Sequence, residues 1–240
     1  ISLDAGSGVL SIADNSTVNF EVTSSYMLTV VVEDGANTSV AETVTVTVID
    51  ENDLPVLVAN TTTTVVEGSS IAITAAQLEV TDEDELPPEL TYSVAGQPAV
   101  GQLELSTDPG SAISSFTQDD INAGRLIYVH DGSESDDSFS FTVSDGSGGM
   151  IGQTTHDISV TRVNDAPVNS VPTTDSTDED TALVFSSAGG NAISISDDDA
   201  FGDDVSVRLS STNGTLSLRE TTGLTFTTGV GAAETQLQFS

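Results

Sequence analysis

Apolar side chains recur at every second position in several stretches of the chain. Tyr26-Met-Leu-Thr-Val-Val-Val32, Val44-Thr-Val-Thr-Val48, Phe139-Ser-Phe-Thr-Val143 and Val205-Ser-Val-Arg-Leu209 carry the pattern. An extended backbone turns successive side chains to opposite faces, so these runs predict half-buried β-strands. Val, Ile, Thr and Phe fill the runs, while Gly, Asn, Asp, Ser and Pro punctuate them. No helical stripe extends beyond two turns. The expected fold is all-β.

The punctuation repeats. Asn52-Asp53-Leu54-Pro55 returns as Asn164-Asp165-Ala166-Pro167, 112 residues on. Glu67 returns as Glu179, and Gly101-Gln-Leu-Glu-Leu105 as Gly214-Thr-Leu-Ser-Leu218. Asp34-Gly35 returns as Asp145-Gly146, and Asp82-Glu83-Asp84 as Asp197-Asp198-Asp199. One period divides the chain into the C-terminal half of a module (1–53), a complete module (54–165) and a third that breaks off early (166–240). The chain is thereby expected to be a segment of a longer protein. Seven strands are expected in the complete module, near 57–66, 70–75, 90–95, 101–106, 125–130, 138–144 and 153–162, which suits a Greek-key β-sandwich. Asn213-Gly214 is a hairpin signal, with Pro98–Gly101 expected to make the matching turn. Tandem sandwiches of this kind form a linear array whose joints set its stiffness.

Charge narrows the function. Asp and Glu total 38 against 4 Lys plus Arg, a formal net charge of −34 across 240 residues, with no Cys and no Trp. No basic surface exists for nucleic acid, and anionic lipid is equally disfavoured. Two histidines without cysteine do not supply a structural zinc or iron–sulfur site. No apolar run is long enough for a membrane-spanning helix.

The acids gather where modules meet. Asp50, Asn52 and Asp53 lie in the first linker, Asp82 and Asp84 follow a strand of the complete module, Asp145 ends a late strand, and Glu21 precedes a strand of the first half-module. The i, i+2 spacing of Asp82 and Asp84 places both carboxylates on one side of an extended segment. Carboxylates brought together repel, and a hard dication with six to eight oxygen ligands removes that repulsion. Calcium suits an irregular all-oxygen set better than magnesium, and zinc and copper lack imidazole or thiolate partners.

These residues resemble known families. Leu3-Asp4-Ala5-Gly6-Ser7-Gly8-Val9-Leu10, Val18-Asn19-Phe20-Glu21, Tyr26–Asp34 and Asp50-Glu-Asn-Asp53-Leu-Pro55 look like the C-terminal half of a cadherin repeat. Phe116-Thr-Gln-Asp-Asp-Ile-Asn-Ala-Gly-Arg-Leu-Ile-Tyr-Val-His-Asp-Gly132, followed by Asp137–Gly146, resembles a chondroitin sulfate proteoglycan repeat, itself a cadherin-like sandwich. Val163–Pro167, Asp178-Glu-Asp-Thr181, Ile195–Asp199 and Asn213–Leu218 are similar to the start of a bacterial tandem adhesin repeat. The cadherin likeness implies calcium at joint one on Glu21, Asp50, Asn52, Asp53, Asp82, Asp84 and Asp145, with Glu51 and Leu54 adding carbonyl oxygens. At joint two it implies Glu67, Asp137, Asn164, Asp165, Asp197 and Asp199. Arg162 stands there at the position of Asp50, so fewer or weaker ions are expected. Asp34 and Glu179 would serve joints whose other halves lie beyond this chain.

Catalytic motifs are wanting. No Gly-x-Ser-x-Gly elbow, phosphate loop or His-Glu-x-x-His occurs. Asp119-Asp120 and Asp136-Asp137 are adjacent acids that point apart in a strand, so they do not flank one glycosidic bond. His130 is expected to pack with Tyr128 on one strand face, and His156 to lie on the surface. Asn15-Ser-Thr17, Asn37-Thr-Ser39, Asn60-Thr-Thr62 and Asn213-Gly-Thr215 fit the glycosylation pattern, which is common by chance in a Ser/Thr-rich chain. The expected role is a non-enzymatic, calcium-rigidified stalk segment of a large extracellular adhesion protein of a marine or salt-tolerant bacterium. Direct homophilic or matrix binding, and an ancillary module of a secreted polysaccharide-active enzyme, are the alternatives. Expected partners are calcium and other cell-surface or matrix molecules.

Overall fold

The structure is a computed structural model that describes residues 2–3, 6–7, 9–11, 18–200 and 204–240. Asp4, Ala5 and Gly8 of the cadherin-like turn, and the Asn15-Ser-Thr17 sequon, lie outside the described residues. The chain forms two compact units, 1–161 and 162–240. Among the described residues the only helix is a single five-residue turn, and none is long and apolar enough to cross a membrane.

The first unit opens with β1 (Ser2–Leu3) paired to β2 (Leu10–Ser11), then a hairpin of β3 (Ser25–Val30) and β4 (Glu42–Thr47). Tyr26 faces Val46 across the hairpin and Leu28 faces Val44. Among the described residues, β3 and β4 pair only with each other. Tyr26, Leu28 and Val46 are half-buried, whereas Met27, on the other face, remains 72% and Val44 51% exposed. The half-buried state expected for these strands is met at Tyr26, Leu28 and Val46 and not at Val44.

Residues 55–161 build a sandwich from ten strands and one helix. The strands are β5 (Val56–Asn60), β6 (Thr63–Val66), β7 (Ser70–Ala72), β8 (Leu78–Thr81), β9 (Thr91–Gly96), β10 (Gly101–Leu105), β11 (Ser115–Thr117), β12 (Leu126–His130), β13 (Asp137–Ser144) and β14 (Met150–Thr161), with α1 (Gln118–Asn122) after β11. One sheet has the order β11-β9-β13-β14-β6, a second β10-β12-β7, and β5 pairs with β8. All pairings are antiparallel except β14 with β6. The chain changes sheet between β9 and β10 and between β12 and β13, the interleaving of a Greek-key sandwich.

Three more strands are present than the alternation predicts. The segment 57–66 divides at Thr61-Thr62 into β5 and β6, which join different partners, and β8 and β11 are too short for an alternation to register. Pro98–Gly101 joins strands of different sheets, so it is not a hairpin turn.

The core lies between the sheets. Tyr92, Leu103, Leu126, Tyr128, Phe139, Phe141, Val143 and Ile158 are all at most 1% exposed. Tyr92 stacks on Phe116 at 4.7 Å. Each such side chain contributes about 1.5–3 kcal/mol on burial.

His156 belongs to this core. It is fully buried, 5.2 Å from the Phe139 ring, which corrects the expected surface placement. Thr154, His156 and Ile158 share the inward face of β14. The histidine closes the gap between β5 and β6: Nδ1 meets Asn60 Oδ1 at 2.8 Å and Nε2 meets Thr63 Oγ1 at 2.9 Å. Asn60 donates its Nδ2 to the Thr155 carbonyl, so Oδ1 is its remaining group and only accepts. The proton therefore sits on Nδ1, and Nε2 accepts from Thr63. Burial pushes the imidazole down to about 4, against a smaller opposing pull from the Asp157 carboxylate.

The second unit pairs β15 (Val168–Ser170) with β16 (Ser194–Ser196), and orders β17 (Val207–Ser210), β18 (Phe226–Thr228) and β19 (Gln236–Phe239) as β17-β19-β18. Leu237 is fully buried, and Phe226 meets Phe239 at 5.6 Å. Asn213-Gly214 forms a turn, with Gly214 at φ 106° and its carbonyl accepting from Ser211 Oγ. The flanking segments do not pair with each other: β17 pairs with β19, and Leu216 bridges to Glu234.

Candidate metal centre

The site lies in the first unit, where the linker 50–54 enters the sandwich. Two elements position its floor. Strand β8 runs into the loop 82–90, and β13 runs into the turn 145–149. In that turn, buried Asp145 accepts at Oδ1 from the N–H groups of Ser147, Gly148 and Gly149, at 2.8, 3.0 and 2.9 Å. Its Oδ2 accepts from Asn52 Nδ2 at 3.0 Å. The Asn52 bond and these amide donors hold the carboxyl below its ordinary value, against the opposing effect of burial.

The loop after β8 is not extended. Asp82 Oδ1 accepts from Asp84 N–H at 2.9 Å and Glu85 N–H at 3.2 Å, curling the segment into an Asx turn. The period-two placement of Asp82 and Asp84 therefore does not apply. The curl instead brings oxygens of Asp82, Asp84 and Glu85 within 4.8 Å of one another. From the linker, Asp53 N–H donates to Asp84 Oδ2 at 2.5 Å. Glu21, from the preceding segment, completes the gathering: one set of oxygens within 4.8 Å joins Glu21, Asp50 and Asp84, and another joins Glu21, Asp53 and Glu83. Asn19 donates to Glu83 Oε2 at 2.9 Å.

All seven residues expected at joint one thus sit in this region, directly or through one hydrogen bond. Glu83 and Glu85 join them, though neither was singled out from the sequence. Glu85 accepts from Ser147 Oγ at 2.5 Å, tying the two loops together. Their signal was the unbroken acidic run Asp82–Glu85, which an assumed strand geometry reads as half facing away.

The electrostatics are those of crowded like charges. Asp53 is pushed up by burial first, then by Glu83, Asp84, Asp82 and Asp50. For Glu21 a bond from its own backbone amide pulls down, but burial and the neighbouring Asp50 and Asp84 carboxyls raise it overall. Glu85 is pulled down by Ser147, yet burial, Asp82 and Asp145 carry it upward. Asp82 Oδ2 and Glu85 Oε2 are shielded from solvent and have no hydrogen-bond partner. A set of hard oxygens with a shielded, unpaired face fits a dication of calcium's kind.

The residues assigned to joint two are divided between the two units. Glu67 sits in the turn after β6, with its carboxylate within 4.8 Å of that of Glu134. Asp137 has other employment: Oδ1 accepts from Ala99 and Ser138 N–H, both at 2.8 Å, and Oδ2 from Val100 N–H at 3.1 Å and Tyr128 OH at 2.7 Å. It fastens the β9–β10 connection, and four donors leave it no lone pair for a metal. Asn164, Asp165, Asp197 and Asp199 belong to the second unit, where the bonds of joint one recur. Asn164 Nδ2 donates to the Asp165 carbonyl and Asn52 Nδ2 to that of Asp53, both at 2.6 Å. Asp165 N–H donates to Asp199 Oδ2 at 2.9 Å. Beside the Asp199 carboxylate, Asp197 is pushed up, and Asp199, accepting from Asp197 and from the Asp165 amide, is pulled down.

Asp34 and Glu179 are exposed. Asp34 accepts from Ala36 and Asn37 N–H at 2.9 and 2.7 Å, a smaller copy of the Asp145 turn. His130 is buried beside Tyr128 as expected, its Nδ1 accepting from Gly68 and Gly132 N–H.

Comparisons with known proteins bear on this architecture. The chain is 46% identical over 82 residues to the human extracellular matrix organizing protein FRAS1, covering 33% of this chain and 2% of that protein. It is 40% identical over 82 residues to mouse chondroitin sulfate proteoglycan 4, covering 34% of this chain and 4% of that protein. The chain therefore spans a small fraction of the length of these relatives. Among solved structures, human mucin-like protocadherin EC1-2 aligns with a TM-score of 0.40 and 20% identity over 62% of this chain and 74% of that one. Protocadherin gammaB7 EC3-6 aligns with a TM-score of 0.44 and 15% identity over 92% of this chain and 52% of that one. Residues 55–161, the segment that builds the sandwich, match the family model described as Cadherin-like.

Proposed function

We propose that the chain is a spacer segment of a large extracellular adhesion protein, stiffened by calcium at the joint before residue 55. The observation that supports this most is the convergence of oxygens from both sides of the linker: Glu21 and Asp50 from before it, and Asp84 from the sandwich, within 4.8 Å. Glu21, Asp50, Asp53, Asp82, Asp84 and Glu85 supply carboxylate oxygens, and Asn52 and Asp145 hold the linker against the turn 145–149. Calcium, when bound, supplies the positive charge that these carboxylates otherwise lack. Without it their mutual repulsion loosens the joint; with it the linker is fixed to the sandwich.

In the second unit, Asn164, Asp165, Asp197 and Asp199 are proposed to bind calcium more weakly, with Arg162 opposing. The extracellular setting rests on the similarity to the extracellular matrix organizing protein FRAS1. The third module is proposed to be an adhesin repeat, and the source a salt-adapted bacterium, because −34 of net charge without lysine is tolerable where salt screens it.

The test is thermal melting of the chain as calcium is raised to about 10 mM, above the ~10⁻⁴–10⁻³ M range of extracellular calcium modules. The melting temperature is expected to rise by a few degrees and to return on chelation. An unchanged melting temperature overturns the proposal.

A further inference from the structure

We infer that Gln118 is a positioning residue for the joint, holding the acidic loop 82–90 in place from inside the sandwich; the part of this that concerns calcium rests on the reading given above. Gln118 begins α1 and is 2% exposed. Its Oε1 accepts twice, from Val80 N–H at 2.9 Å and from Tyr92 OH at 2.6 Å. Its Nε2 donates to Asn122 at 2.9 Å, which fixes which end of the amide faces which partner. Val80 lies two residues before Asp82, at the end of the strand that delivers the acidic run.

The far end of the loop is held by the same short helix. Gln118 N–H donates to the Leu90 carbonyl at 3.0 Å, and Asp119 N–H to the Pro87 carbonyl at 3.2 Å. The helix itself is fixed by a reciprocal capping pair between Thr117 and Asp120 and by Arg125, which bonds Asp119 at 2.6 Å and Asp120 at 2.9 Å. The loop thus leaves and rejoins the sandwich at two points, both controlled by residues 117–120.

Between those ends, among the described residues, the loop is tied only at single points, by Ser147 to Glu85, Asp53 N–H to Asp84 and Asn19 to Glu83. Beneath the loop lies a cavity of about 160 Å³, lined in part by Val80, Asp82, Glu85, Gln118 and Asn122. The end bonds at Val80, Pro87 and Leu90 set where the loop leaves and rejoins the sandwich. If Gln118 is lost, the Tyr92 hydroxyl loses its acceptor and the Val80 N–H keeps only the Tyr92 oxygen beside it, so the strand end shifts to find others. Asp82, Asp84 and Glu85 move with it.

This gives a function to part of the Phe116–Gly132 signature that the joint residues do not explain. Phe116 packs in the core, Thr117 and Asp120 cap the helix, and Gln118 transmits the helix position to the carboxylates.

The experiment compares the full chain, Gln118→Met and Ile158→Val, the last a core change of modest cost on β14 that does not touch the loop. Two quantities are read: amide hydrogen exchange across residues 81–90 without calcium, and calcium affinity by calorimetry. Gln118→Met is expected to raise exchange in 81–90 and weaken calcium binding about tenfold, as a loss of about 1.4 kcal/mol gives. Ile158→Val is expected to change neither. If Gln118→Met lowers the melting temperature while exchange in 81–90 and calcium affinity stay at the unmodified values, Gln118 only stabilises the core and the inference is overturned. If the unmodified chain binds no calcium, the joint reading fails, and the exchange comparison still decides whether Gln118 holds the loop.

Discussion

The backbone N–H of Asp53 donates to Oδ2 of Asp84 at 2.5 Å, and 112 residues later Asp165 makes the same bond to Asp199 at 2.9 Å. The linker aspartate thus offers its amide to the sandwich and keeps its carboxylate for the joint. Replacing Asp84 by Ala removes both the amide's partner and a candidate ligand. It is expected to cost about 1–3 kcal/mol and to weaken calcium binding. Asp84→Asn keeps an oxygen for the amide, so it is expected to recover stability but not calcium affinity. Chemical unfolding and calorimetry on the two variants separate the effects.

Asp137 gives a contrasting prediction. Its four hydrogen bonds stay within the sandwich, so Asp137→Ala is expected to destabilise the chain by about 2–4 kcal/mol, leaving buried donors unpaired, while calcium affinity remains unchanged. A calcium loss equal to that of Asp53→Ala would return Asp137 to the ligand set.

His156 makes stability depend on pH. Its native pKa of about 4 lies below the ordinary 6.5, so the unfolded chain takes up this proton first as pH falls. The neutral ring's contribution is complete above pH about 6.5 and is lost progressively down to about 4, by an amount on the order of 3 kcal/mol. Urea unfolding from pH 7 to pH 4 is expected to show a steeper fall for the unmodified chain than for His156→Gln, and parallel curves would contradict it.

Gly101 and Gly214 hold equivalent places in the repeat for different reasons. A Cβ at Gly101 would lie 2.6 Å from both the Val129 carbonyl oxygen and Tyr128 Cζ. At Gly214 nothing stands within 4 Å, but φ is 106°. Gly101→Ala is expected to cost about 1–3 kcal/mol through collision with β12, and Gly214→Ala about 1 kcal/mol through backbone strain. Melting of the two variants checks the order.

Much of this was legible in the sequence. Alternation located β9, β10, β12, β13 and β14, and the repeat drew attention to the residues that meet at joint one. What escaped was decided by contacts that no periodicity records. The same alternation describes a covered position and a bare one, so it did not distinguish inward His156 from a surface histidine, or half-buried Leu28 from its exposed cross-strand neighbour Val44. The curl of Asp82–Glu85 depends on one side-chain oxygen accepting two amides. The engagement of Asp137 depends on Ala99 and Val100, which reach it only because β9 and β10 belong to different sheets.

The carboxylates around Asp53 and Asp84 are proposed to form a calcium site. Equilibrium binding of calcium to the full chain, beside the double variant Asp50→Ala/Asp53→Ala, tests it most directly. Saturable binding at millimolar calcium or below, with at least one ion lost in the double variant, is the predicted result. Equal binding by both chains, or none by either up to about 10 mM, would contradict it.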